Sequence, residues 1–143
     1  MGKLGRLWVV FALLLGACSD GAESDLETAE NRWKDSDVTD YEMQVRLACF
    51  CPPDVSGPFD ITVRNEEVNE VQFGGVAIEP TGATPTMAFT VEGLFGIVRE
   101  NLSADELAVT YDDDLGYPTL IEIDEDAEAV DDEWRVSATL VAP

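Results

Sequence analysis

The sequence predicts an α+β fold: an antiparallel sheet of about five to six strands with two helices packed on one face, in the order helix, three strands, helix, three strands. Three observations predict it. Apolar residues recur at helical spacing in two segments and alternate with polar residues in six others. The connections between neighbouring alternating segments are short, which pairs consecutive strands antiparallel. Clusters of Gly, Pro, Asn and Asp fall at the boundaries, where the chain must turn.

Ser24 with Glu27 three residues later is a capping box, and Leu26, Ala29 and Trp33 then share one helical face. Asp37 to Asp40 ends that pattern. Tyr41, Met43, Val45, Leu47 and Cys49 alternate with Glu42, Gln44, Arg46 and Ala48, so this strand has one buried and one wet face, with Cys49 on the buried side. Phe59, Ile61 and Val63 make a second strand, and Asn65-Glu66 a two-residue turn that lacks the usual glycine. The third strand, Val68, Val71 and Phe73, slips once in parity, which marks a bulge. Gly74 to Met87 reads as a Gly/Pro/Thr loop. Thr90 caps the second helix, with Val91, Leu94, Phe95, Val98 and Leu102 on its buried stripe; Gly93 and Gly96 either weaken it or allow close packing on a sheet. Leu107/Val109/Tyr111, Thr119/Ile121/Ile123 and Trp134/Val136/Ala138/Leu140 complete the strands. Gly116-Tyr117-Pro118 fits the start of the second of these: Gly supplies a positive φ, and Pro begins a strand where no N–H is needed. Tyr117 is a candidate recognition aromatic or, alternatively, a cover over the sheet's end.

The first residues address the chain. Lys3 and Arg6 form a positive stretch, and Leu7 to Leu15 is an apolar run of nine residues, too short to span a bilayer and suited to a signal peptide. Leu15-Gly16-Ala17-Cys18 has the form of a bacterial lipobox, in which the Cys18 thiol takes a diacylglycerol and becomes the first mature residue. The alternative is an ordinary cleavage near Ala17 with Cys18 incidental. The lipid reading divides the chain into a signal peptide (1–17), a polar tether (18–23) and one α+β domain (24–143). It places the protein in the cell envelope, anchored by several acyl chains such as palmitate. Ser19, in place of an aspartate, favours the outer over the inner membrane of a Gram-negative cell.

The whole chain carries 30 acidic and 8 basic side chains, a formal charge of −22. Processing removes Lys3 and Arg6, leaving 6 basic side chains against 30 acidic, a charge of −24 over 126 residues. Such a surface repels nucleic acid and anionic headgroups and attracts cations or basic partners. With no histidine in the chain, Ser-His-Asp and Cys-His catalysis are excluded, and no phosphate-cradling glycine loop is present. No cofactor is expected.

Cys49 and Cys51 form an even pair once Cys18 is lipidated, and export favours their oxidation. Residues two apart on an extended strand lie at the upper edge of disulfide reach, so the chain must bend there, and Pro52-Pro53 ends the strand. A structural disulfide, thiol–disulfide exchange and metal binding by thiolates are the competing readings. A closed zinc site would want four Cys or His ligands where two thiols are available. Calcium is the other cation reading. Hard carboxylate oxygens crowd Asp112 to Glu133, and Asp112, Asp114, Asp124, Asp126, Asp131 and Asp132 are its candidate ligands. In a meander, however, the Asp112–Asp114 turn and the Asp124–Glu133 connection fall at opposite ends of one strand, which argues against a shared site, and no segment fits the twelve-residue calcium loop. The leading functional expectation is a non-enzymatic, lipid-anchored module that binds or supports a protein partner.

The lipobox, the early Trp33, Tyr41 before its alternating strand, "CFCPP", the Val-rich hairpin, "TVEGLFGIV" and "VTYDDDLGYPTLIEID…DDEW" stand in an order that resembles the bacterial lipoprotein family catalogued as domain of unknown function 6174. The resemblance runs from about Trp33 to Val141, with Cys49-x-Cys51 and Tyr111-Asp112…Gly116-Tyr117-Pro118 its most specific parts. Glu66 departs from the glycine usual at the hairpin turn. The resemblance implies secretion and an α+β domain, and no activity.

Overall fold

A computed structural model describes residues 19–79, 86–129 and 132–142. Seven strands form one antiparallel sheet: β1 (Tyr41–Ala48), β2 (Phe59–Arg64), β3 (Glu67–Phe73), β4 (Val76–Ala77), β5 (Glu106–Tyr111), β6 (Pro118–Asp124) and β7 (Trp134–Ala142). Their spatial order is β4-β3-β2-β1-β7-β6-β5. Two meanders are therefore joined at the centre by the first long strand and the last, with Val45 opposite Ala138 and Leu47 opposite Val136. The seventh strand, beyond the five or six expected, is β4. It is a two-residue pairing of Val76 with Phe73 and Ala77 with Gln72, inside the segment read as a loop.

Helices α1 (Ser19–Asp35) and α3 (Val91–Glu100) cover one face, and α2 (Pro53–Ser56) is a single turn after β1. α1 already includes Ser19–Glu23, upstream of the cap expected at Ser24, so that part of the polar tether is helical. Ser24 is an interior residue whose carbonyl accepts a bond from the Thr28 hydroxyl, 2.9 Å. Leu26, Ala29 and Trp33 bury as their spacing requires. Thr90 caps α3, its Oγ1 accepting from the Gly93 N–H at 3.0 Å. Val91, Leu94, Phe95 and Val98 bury together with Ile97, while Leu102 lies past the helix end, half-buried against the core. These side chains meet the inward residues of the sheet in one continuous core: Tyr41, Met43 and Val45 of β1, Phe59, Ile61 and Val63 of β2, Ile121 and Ile123 of β6, and Val136 and Ala138 of β7. The opposite face is left to polar side chains such as Gln44, which donates to Asp60 Oδ1 at 2.8 Å.

The β2–β3 hairpin shows how local chemistry sets register. Asn65 and Glu66 both take positive φ, +51° and +66°, the geometry of a type I′ turn. The expected slip is present: Thr62 faces Glu70 and Val63 faces Val68, so Asn69 is the extra residue of a bulge. The turn is held from outside, because the Asn65 N–H donates to Asp40 Oδ1 at 2.7 Å and the Glu66 N–H to the Thr39 carbonyl at 2.9 Å.

Candidate functional site

Strand directions sort the loops by end. The start of β1, the β5–β6 turn and the end of β7 share one end of the sheet; the end of β1, the start of β5 and the β6–β7 connection share the other.

At the first end, Asp112 Oδ1 accepts from the Leu115 N–H at 2.7 Å and from the Asp114 N–H at 3.1 Å. Arg32 of α1 donates to the carbonyls of Asp113 (3.1 Å) and Asp112 (3.4 Å). Asp112 is thus committed to its own turn. Gly116 follows with φ +83°, and a Cβ there would stand 2.6 Å from the Ala29 carbonyl oxygen, so the turn seats directly on α1. Tyr117 is 5% exposed, and its hydroxyl accepts from the Leu140 N–H at 3.3 Å. It closes the end of the core beside Trp33 and offers no recognition surface. The Trp33 indole N–H donates to Glu92 Oε1 at 2.8 Å, and the Val91 N–H to the Tyr41 hydroxyl at 2.9 Å, which ties α1, β1 and the start of α3 together. Burial pushes the Tyr41 hydroxyl well above its ordinary value. Burial, then Asp25 and Glu30, raise that of Tyr111 to about 12. An Arg99–Glu30 ion pair adds a second tie between α1 and α3.

At the second end, β1 stops at Ala48 and the chain bends. Cys49 and Cys51 are joined across this bend with Cα atoms 5.2 Å apart. Cys49 is therefore half-buried in the bend rather than in the core face of the strand, and Cys51 Sγ lies 3.7 Å from the Ser56 hydroxyl of α2. Phe50, between the two sulfurs, is 89% exposed. The alternation of β1 does not single it out. The signal was there: two joined cysteines two residues apart face each other, so the residue between them is turned outward.

Ala48 leads from this loop into a cleft of about 630 Å³ whose lining includes Glu106, Glu122, Asp124, Glu133 and Arg135. Arg135 is paired to Glu122 at 2.6 Å. Asp124 keeps some contact with solvent, but its Oδ1 is shielded and has no hydrogen-bond partner, and the same holds for Asp132 Oδ1. This desolvation, then repulsion from Asp132, Glu133 and Glu106, raises the Asp124 carboxyl above the usual carboxylate range. Asp126 is spent on the loop itself: its N–H donates to Asp132 Oδ2 and its Oδ1 accepts from the Glu128 N–H, both at 3.0 Å.

The calcium candidates are thus split, Asp112 and Asp114 at one end and Asp124, Asp126 and Asp132 at the other. Among the described residues no group of three or more Cys, Asp or Glu side chains is arranged to hold a metal ion. Cys18 and Asp131 lie outside the described residues. Within the described part, no helix is long and apolar enough to cross a membrane. No curated protein and no solved structure matches the chain. The family of unknown function DUF6174 matches residues 25–143, from the second turn of α1 through the last strand, and the chain belongs to that family.

Proposed function

We propose that the chain is a secreted, lipid-anchored protein of the cell envelope that acts without catalysis, by binding or supporting a protein partner. The observation that carries this reading is Leu15-Gly16-Ala17-Cys18 directly after a nine-residue apolar run. The fold is compatible with it in one respect: the chain is already helical at Ser19, so no irregular stretch between Ser19 and Asp35 separates the domain from a lipid at Cys18. The binding half rests on surface chemistry. A net charge of −22 favours association with basic proteins and disfavours nucleic acid. Of the side chains nearest to a reactive arrangement, Asp124 and Glu133 share the cleft with Glu106, Glu122 and Arg135 and with no histidine, lysine, serine or cysteine among its described lining.

Intact mass spectrometry of the chain isolated from membranes tests the anchor. The expected product begins at Cys18 with a diacylglycerol thioether, and Cys18→Ala moves the protein to the soluble fraction. A full-length chain with all three thiols free, found in the cytoplasm, overturns it.

A further inference from the structure

We infer that the Cys49–Cys51 loop and the adjoining cleft form a docking surface for a basic protein, with Phe50 entering an apolar pocket of that partner and its lysine or arginine side chains entering the cleft. This rests on the reading of the chain as a binding module and says where the module binds.

Three independent features meet at this place. The first is Phe50 itself. The other aromatic rings of the described residues are buried or half-buried, yet this phenyl ring stands 89% exposed. An aromatic ring is the side chain best suited to anchor an interface by filling a pocket. The second is the covalent ring around it. A disulfide between residues two apart restricts the backbone that carries Phe50, and Pro52 follows at once, so little freedom is lost when the ring is engaged. The third is charge. Four carboxylates line the cleft against the single guanidinium of Arg135, which Glu122 already engages. Glu106, Asp124 and Glu133 have no cationic partner among the described residues, and the shielded Asp124 Oδ1 lacks any donor. A lysine or arginine entering the cleft relieves the repulsion from Glu133 and Glu106 that helps to raise the Asp124 carboxyl. The same charge rejects the other occupants. A second copy of the chain would bring its own −22 to the contact, and an anionic bilayer would repel the acidic rim.

The test uses a photo-crosslinking phenylalanine analogue at position 50 in the full chain, produced in its native host and irradiated in intact cells. The same analogue at Val141, 67% exposed at the opposite end of the sheet, is the comparison. Position 50 is expected to yield one dominant adduct, with a protein of net positive charge. Glu106→Gln with Glu122→Gln and Glu133→Gln should lower the yield roughly tenfold. Cys49→Ser with Cys51→Ser should lower it while circular dichroism shows the sheet intact. An adduct from position 141 and none from position 50 overturns the docking surface and leaves the binding-module reading standing. No adduct from either position overturns both. An adduct of position 50 with lipid, with a second copy of the chain, or with a protein whose capture ignores the charge variants also overturns the surface.

Discussion

Gly116 has positive φ and sits where any side chain would strike the backbone of α1. Gly116→Ala meets both penalties, the left-handed backbone and the overlap with the Ala29 carbonyl, and should cost about 2–4 kcal/mol in denaturant unfolding. Glu66 presents the reverse case. It holds φ +66° with a side chain that disfavours that region, and nothing but the I′ turn demands it. Glu66→Gly should stabilise the domain by about 1 kcal/mol in the same assay. Asp124 carries a pH signature. Its folded value is raised, so the protonated form is the one the fold favours. That contribution is present below about pH 4 and lost as pH rises through the folded value. Asp124→Asn should therefore raise the melting temperature at neutral pH, and the gain should shrink on acidification. A gain that stays constant across that range would exclude the carboxylate's charge as its cause. At this scale the sequence was legible wherever one residue answers to one local rule, as Thr90 does at its cap. Tyr117 was legible as a cover over the sheet's end, while Phe50 was not, because its exposure is set by the disulfide rather than by the alternation of its strand.

Most elements followed their periodicities closely, since β1, β2 and β7 have one wet and one dry face and period two leaves little choice; β3 departs from this, with Val68 exposed before the bulge. The bulge at Asn69 was readable for the same reason: a slip in parity has to be absorbed somewhere in a sheet whose other face is solvated. The helix starts were less clear. Ser24 and Glu27 satisfy a capping pattern, yet the preceding polar residues continue the helix, and a capping box does not forbid extension on its N-terminal side. β4 escaped notice because two residues carry no period. The link between helices is a testable property of the elements as a set. Trp33→Phe keeps most of the buried ring but removes the indole donor from Glu92. It should cost about 1–3 kcal/mol and speed amide exchange in α1 more than in the β1–β7 pair. Uniform acceleration throughout the sheet would mean that α1 does not open separately.

The whole molecule is governed by its charge and by its strand order. At a formal −22, self-repulsion opposes the compact state, and salt should raise the melting temperature over the first few hundred millimolar as the screening length falls below about 10 Å. Because the acidic groups are split between two ends of the sheet, calcium should stabilise no more than magnesium at equal ionic strength. A saturable, calcium-specific shift in differential scanning calorimetry would restore a coordination site. Charge and the α+β class were both available from composition and pattern. The strand order was not, because pairing β1 with β7 joins residues nearly a hundred positions apart and leaves no trace in either strand's own sequence.

That central seam has a consequence for how the protein comes into being. Each half of the sheet can be assembled by neighbours along the chain, but the two halves have no common border until Trp134–Ala142 arrives to lie between β1 and β6. A nascent chain halted before that stretch holds two unfused ribbons with β1 bare along one side, and cannot lock into its final shape.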